Sequence, residues 1–182
     1  MGKVTSFTKE QQIIIDEFNK NLFLTTNFYF TGGTALSAVY LHHRGSDDLD
    51  FFSEQKFDQT TISDIVTQWS KKYKFKIELV SNERVHIFQL TFPDKNKLKI
   101  DFAYYPYKRV RRGVTIKSIT VDSLFDIAIN KLFTISQRTA VKDFVDLYYL
   151  LKKFTFWDLM EGAGVKFGMK LDILMIATDF MK

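Results

Sequence analysis

No cysteine occurs anywhere in the 182 residues. A disulfide framework and a thiolate metal site are thereby excluded. Histidine is nearly as scarce: there are three, two of them adjacent at His42 and His43, which leaves little room for a zinc site. No apolar run is long enough to span a bilayer, and the opening MGKVTSFTKEQQ has no apolar signal region. Gly2 and Ser6 fit the myristoylation pattern only loosely. The expectation is a cytoplasmic protein with no membrane partner. Proline and glycine are also few, at 2 and 8 against 19 Phe. Many of the Phe fall in alternating or helix-spaced patterns, so most belong to a core.

What is present describes a globular chain. Hydrophobic residues make up 46% and charged residues 26%, a balance that disordered chains do not have. The length suits one domain, or one core with a small helical appendage. The formal net charge is +5, with a pI of about 9.2. Such a surface attracts phosphate, in nucleotides or in RNA, although a surface charged only for solubility would look the same.

Along the chain, residues 8 to about 21 predict an amphipathic helix capped by Thr8, with Ile13, Ile14, Phe18 and Leu22 near helical spacing. Phe28-Tyr29-Phe30 reads as a short strand broken by Thr31-Gly32-Gly33-Thr34. A helix is expected over residues 35–42 and a second strand over 49–52, reached through the polar turn Arg44-Gly45-Ser46-Asp47. Residues 61–72 form a helix whose buried face is Ile62, Ile65, Val66 and Trp69. Alternating stretches at 75–79, 86–90 and 98–102 read as strands, the last two joined as a hairpin through Asp94-Lys95-Asn96-Lys97. Residues 114–119 suggest one more strand. Helices then take over: 122–133 with Asp122 as N-cap, 140–152, and 169–180. The chain is mixed α/β first and helical last, an α+β pattern with one boundary near residue 120. No internal repeat or long linker is visible.

Chemistry concentrates at residues 31–50. A glycine pair between strand and helix lets backbone N–H groups approach a phosphate, and Thr34 adds a hydroxyl there. Glycines also mark many ordinary turns. Asp48 and Asp50 are two apart on a predicted strand, so they share a face. Adjacent carboxylates repel, and burying them is costly unless a cation intervenes. Oxygen donors of this kind suit Mg²⁺ or Mn²⁺. Asp101 interrupts another apolar strand. If that strand lies beside the first, three carboxylates converge and can hold two metal ions. In the plain alternative, Asp48 and Asp101 are exposed strand ends and Asp50 pairs with Arg44.

The combination Gly32-Gly33-Thr34-Ala35-Leu36, then His43-Arg44-Gly45-Ser46-Asp47-Asp48-Leu49-Asp50-Phe51-Phe52, resembles the first motif of the AbiEii/AbiGii toxin-like nucleotidyltransferases. That family lies within the DNA polymerase β-like nucleotidyltransferase superfamily. Thr34 stands where the wider superfamily commonly has serine, and Asp101 fits the place of the third carboxylate. The resemblance runs from about residue 28 to about 152. It implies a nucleotidyltransferase-type mixed β-sheet core flanked by helices over residues 1–120, and a C-terminal helical bundle over 121–182. It also implies metal-dependent transfer of a nucleotidyl group from a nucleoside triphosphate to a hydroxyl acceptor. Asp48, Asp50 and Asp101 become the metal ligands, with Asp101 also helping to deprotonate the acceptor. Gly32, Gly33, Thr34, Arg44, Ser46 and Lys131 become the nucleotide-binding set. Candidate partners are tRNA as acceptor and a cognate antitoxin protein.

Lys131 sits in the apolar stretch Asp126-Ile127-Ala128-Ile129-Asn130-Lys131-Leu132, where a lysine must snorkel to water or meet an anion. The resemblance assigns it to the triphosphate and matches Asp143 to the family's essential aspartate. Asp146 is one helical turn further on. One of the two aspartates is expected to act as base or to position Lys131, and the other to fix Arg138. Asp143 near a helix start also satisfies the helix dipole with no further role. Lys95, Lys97, Lys99, Lys108, Arg109, Arg111, Arg112 and Lys117, with Tyr104, Tyr105 and Tyr107, form a basic and aromatic run. It suits an RNA groove or a solvated rim, and Lys97 and Lys99 share the face of Asp101, where they can balance its charge. The competing functional class is a non-catalytic nucleotide-binding or protein-interaction module that keeps the fold. Nucleotidylation of a protein is a third reading.

Overall fold

A computed structural model describes residues 7–138 and 140–168, with 172, 173 and 178. The chain divides into two compact units. One runs to Pro106 and returns for Thr115–Val121; the other takes Tyr107–Val114 and the chain from Asp122 onward. The helix expected over residues 169–180 falls outside the described residues but for three isolated positions, and the Gly2/Ser6 pattern lies outside them altogether. Among the described residues no helix is long and apolar enough to cross a membrane.

The first unit is built on a five-stranded mixed sheet. Its strands are β1 (Tyr29–Thr31), β2 (Leu49–Ser53), β3 (Lys76–Ser81), β4 (Val85–Thr91) and β5 (Lys97–Tyr104), in the order β1-β2-β5-β4-β3. Only β2 and β5 run parallel; the other neighbours are antiparallel. The predicted hairpin is the β4–β5 pair. Alternation divides the sheet into two faces. Leu49, Phe51, Phe88, Leu90, Leu98, Ile100 and Phe102 point to the buried side. Phe51 stacks on Phe18 with ring centroids 4.2 Å apart, and Phe102 follows 5.4 Å from Phe51.

Phe18 comes from α1 (Lys9–Lys20), which opens with the expected Thr8 cap. The Thr8 hydroxyl accepts from Gln11 N, and the Gln11 side chain accepts from Thr8 N, closing a capping box. A second short helix, α2 (Leu22–Asn27), follows at once, capped by the Asn21 side chain. The sequence reading passed over it because six residues show too little periodicity. Helix α4 (Gln59–Tyr73) begins two residues before its expected start, where the Asp58 carboxylate accepts from Thr60 N and Thr61 N. Its buried residues are Ile62, Ile65, Val66 and Trp69, as the periodicity predicts. The strand expected over 114–119 is a small hairpin, β6 (Thr115–Ile116) with β7 (Ile119–Thr120). Lys117, at φ 55°, lies in its turn.

The glycine turn differs from expectation. No loop separates β1 from the next helix. Helix α3 (Gly32–Ala35) starts at the glycine pair and continues as a π-helical stretch, Leu36–Leu41. The His42 N–H closes that stretch on the Ser37 carbonyl, five residues back, and His42 then turns left-handed.

The second unit contains α5 (Leu124–Gln137), α6 (Val141–Leu150) and α7 (Phe156–Phe167). The N-cap of α5 is Ser123 rather than the expected Asp122. The Ser123 hydroxyl accepts from Asp126 N at 2.9 Å, and Asp122 instead accepts from Ser123 N. Helix α7 went unread because Gly162 and Gly164 interrupt its pattern. The structure explains Gly162: a Cβ there would lie 2.6 Å from Ile129 Cδ1 and 2.8 Å from Phe125 Cζ. Only hydrogen fits where α7 crosses α5.

Candidate active site

The candidate carboxylates Asp50 and Asp101 lie on the sheet face opposite the aromatic core. Asp50 of β2 is the direct register partner of Asp101 of β5. Neighbouring strands in register point their side chains the same way, so both carboxylates emerge on one side. Asp48 precedes β2 by one residue and is two before Asp50. The two strands expected to be neighbours are so, and the register brings Asp50 and Asp101 together, while Asp48 lies just outside it.

Gly32 sits against this group. Its φ is +76°, a backbone conformation that a side chain disfavours. A Cβ at this position would fall 2.0 Å from Asp50 Oδ2. Glycine is therefore needed twice here, for the backbone angle and for the approach of Asp50. Gly33 has a different neighbourhood: a Cβ there would meet Arg44 Nη2 at 2.8 Å and Ser46 Oγ at 3.0 Å. Gly33, Arg44 and Ser46 thus meet as the sequence reading grouped them. Thr34 is buried, and its hydroxyl donates to the Asp48 carbonyl. Gln11 Nε2 donates to the Ser46 carbonyl at 2.8 Å. The turn, helix α1 and the approach to β2 are fastened together around Asp48.

A lysine stands among the acids. Lys99 Nζ is 2.8 Å from Asp101 Oδ2 and 3.5 Å from Asp48 Oδ2. Of the two roles open to Lys99 in the sequence, charge balance at the carboxylates is the one its position fits. The titration behaviour follows. Burial pushes the Asp101 carboxyl above its ordinary range, and the nearby Asp48 charge adds to this; the Lys99 contact lowers it without winning. Burial pulls Lys99 down, but its hydrogen bond to Asp101 and the charges of Asp101, Asp48 and Asp50 raise it overall.

Does this group fit a divalent cation? Asp101 Oδ1 is buried and has no hydrogen-bond partner among the described residues, a costly state for a carboxylate oxygen. The donors are also hard oxygens. Both features fit Mg²⁺ or Mn²⁺. Among the described residues no group of three or more acidic or histidine side chains stands close enough together to hold a metal ion as it is, and Lys99 contacts two of the candidates.

The predicted residues of the second unit form their own network. Lys131 is buried and does not snorkel. Its ammonium is 2.7 Å from Asp143 Oδ1 and 2.7 Å from Asp146 Oδ2. Arg138 Nε donates to Asp143 Oδ2 at 2.9 Å. The expected division of labour is corrected in one respect: Asp143 serves both Lys131 and Arg138, with Oδ1 accepting from Lys131 and Oδ2 from Arg138 Nε, while Arg138 Nη2 also reaches Oδ1 at 3.5 Å. Burial pushes the Asp143 carboxyl up, but the hydrogen bonds from Arg138 and Lys131 outweigh it and hold the group below its ordinary value.

A buried pair in the same unit escaped the sequence reading. Asp126 Oδ1 accepts from Lys166 Nζ at 2.9 Å, with both side chains fully buried. The same carboxylate accepts from Ser123 Oγ, Val110 N and Arg111 N. The available signal was a single lysine in the apolar stretch Gly164-Val165-Lys166-Phe167. Several members of the basic and aromatic run have partners of their own. Lys99 belongs to the carboxylates, Lys117 pairs with Asp16 at 2.8 Å, and Arg111 lies 3.8 Å over the Phe125 ring.

Comparison with known proteins gives this geometry its context. Residues 14–168 match the family described as nucleotidyl transferase AbiEii toxin, type IV toxin–antitoxin system. The chain belongs to the AbiEii nucleotidyltransferase family. It is 34% identical over 161 residues to the uncharacterized protein aq_aa25 of Aquifex aeolicus (strain VF5), covering 84% of this chain and 70% of that one. Its fold is similar to that of JHP933 from Helicobacter pylori, at TM-score 0.59 and 18% identity over 96% of this chain and 89% of the other. It is also similar to the antibiotic-resistance factor ANT(2'')-Ia, at TM-score 0.52 and 11% identity over 86% and 91%. The α+β architecture is thus that of nucleotidyltransferases, and AbiEii membership makes the protein an enzyme of that class.

Proposed function

We propose that the protein moves a nucleotidyl group from a nucleoside triphosphate to a hydroxyl acceptor at the cluster of Asp48, Asp50 and Asp101. The observation that carries this reading is the direct opposition of Asp50 and Asp101 on neighbouring parallel strands. In the reaction the acceptor oxygen bonds to the α-phosphorus, the bond from that phosphorus to the bridging oxygen breaks, and pyrophosphate leaves. Asp48, Asp50 and Asp101 would hold the divalent metal, which when bound polarises the triphosphate and favours the acceptor alkoxide. Asp101 would help to take the acceptor's proton. Gly32 and Gly33 bring backbone close to the phosphates, and Arg44 and Ser46 support that turn. Thr34 acts by fixing Asp48 through its carbonyl. In the second unit Lys131 serves as an anion-binding cation: Asp143 and Asp146 each accept a hydrogen bond from its ammonium, which has three N–H donors.

The family description supports a toxin acting with an antitoxin, and the net charge of +5 supports an anionic acceptor such as tRNA. The test is incubation with each labelled ribonucleoside triphosphate, total tRNA, and Mg²⁺ or Mn²⁺. Label is expected in RNA with the wild type and not with Asp101→Asn. A folded wild type that transfers no label from any triphosphate with either metal would refute the proposal. Label in a protein band instead would redirect it to protein nucleotidylation.

A further inference from the structure

Lys99 stands among the carboxylates that the proposed function assigns to a divalent cation. Its ammonium faces Asp101 Oδ2 at 2.8 Å and Asp48 Oδ2 at 3.5 Å, so it draws on oxygens of two of the three prospective ligands. A small divalent ion takes carboxylate oxygens at about 2.0–2.1 Å. An ammonium on those same oxygens would be a like charge only a few ångströms away. The two cations therefore compete. The competition is built into the strand: Lys99 and Asp101 are two apart on β5 and share a face, with Asp50 opposite Asp101. The Lys99 side chain is about a third exposed, at 32%, and a long aliphatic stem lets its head swing toward water. Meanwhile Asp101 Oδ1, buried and unpartnered among the described residues, remains for an incoming ion.

We propose that Lys99 is a resident counter-ion that holds the cluster together without metal and is displaced from Asp48 and Asp101 when a divalent cation binds. It thereby weakens metal binding by the protein alone. This inference rests on the nucleotidyl-transfer reading of the same carboxylates. A protein arranged this way charges its site mainly when metal arrives together with an anionic substrate, because the polyphosphate can receive the displaced ammonium.

The test is direct Mn²⁺ binding, followed by electron paramagnetic resonance of the free ion, with wild type, Lys99→Met and Lys99→Arg and no nucleotide present. Lys99→Met is expected to bind Mn²⁺ tighter by about tenfold or more, while Lys99→Arg stays near wild type. In metal-free buffer Lys99→Met should melt below wild type, and saturating Mn²⁺ should restore it. If Lys99→Met does not fold, Lys99→Gln carries the same expectation. Adding a non-hydrolysable triphosphate should tighten Mn²⁺ binding more for wild type than for Lys99→Met. Equal or weaker Mn²⁺ binding by folded Lys99→Met would overturn the counter-ion role and leave the carboxylate site standing. No Mn²⁺ binding by any of these proteins, with or without triphosphate, would bring down the metal site itself and this inference with it.

Discussion

Replacing Gly32 by alanine should disable the site with only modest loss of stability. The added carbon would lie 2.0 Å from Asp50 Oδ2, 2.6 Å from its Cγ and 2.9 Å from its Cβ. Non-bonded heavy atoms settle at roughly 3.5 Å, so the Asp50 carboxylate must retreat by more than about 1 Å. A displacement of that size in a reacting constellation costs on the order of a hundredfold in rate. The backbone adds its own penalty, because alanine at φ +76° costs about 1–2 kcal/mol. For a chain of this length that is a fall of about 2–8 °C in melting temperature. Gly45→Ala is the matched control. Nothing lies within 4 Å of its would-be Cβ, so stability should change by less than about 0.5 kcal/mol and transfer should be unaffected. Thermal melts and labelled transfer on the same preparations read both quantities. A Gly32→Ala protein with wild-type transfer would refute the contact between the glycine turn and Asp50. Equal losses in both alanine variants would show that the segment tolerates no change for some other reason.

Glu17→Gln tests a charge cluster away from the site. Burial raises the Glu17 carboxyl, but hydrogen bonds from Lys20, Lys72 and Tyr73 prevail and bring it from 4.5 down to about 2. A depressed carboxylate stabilises the fold above the unfolded value, and that stability is lost as pH falls toward 2. The shift corresponds to about 3 kcal/mol at most. The two lysines are 64% and 54% exposed, so screening leaves roughly 1–2 kcal/mol. Urea titrations should show that deficit in the variant at pH 7 and its disappearance near pH 2; a pH-independent gap would contradict the assignment. Lys166→Met strands the Asp126 charge in the interior and should cost about 3–5 kcal/mol, partly recovered in the double variant with Asp126→Asn, as urea unfolding would report. Gly162→Ala should cost about 1–3 kcal/mol through its collision with Ile129 and Phe125, and calorimetry that finds no loss would argue against the tight α5–α7 crossing.

The parts of the fold that the sequence disclosed are those governed by local periodicity. Strands β3, β4 and β5 alternate, α4 repeats its apolar face at helical spacing, and Thr8 with Gln11 spells a capping box. The site was legible for a related reason. Asp50 and Asp101 are acids set in apolar strands, and Asp48 lies one residue before the first of them. What stayed hidden depends on partners distant in sequence. Lys166 meets Asp126 forty residues away, and Gly162 is defined by the side chains of another helix. The π-helical stretch after Ala35 has no composition of its own, since Leu36-Ser37-Ala38-Val39-Tyr40-Leu41 would suit an α-helix equally well. Ser123 displaced Asp122 as cap because both can serve, and one residue of offset lies below what pattern reading resolves.

The stacked rings of Phe18, Phe51 and Phe102 have a bearing on chemistry they never touch. Strand residues alternate sides, so sliding β5 by a single position against β2 would set Ile100 or Phe102 opposite Asp50 and turn the acid of residue 101 to the far side of the sheet. The interlocked aromatics forbid that slip, since it would carry a phenyl ring into water. Alignment of the acids is thus enforced from the reverse of the layer that bears them. Trimming one of those rings should blur the pairing of two carboxylates whose own surroundings remain untouched.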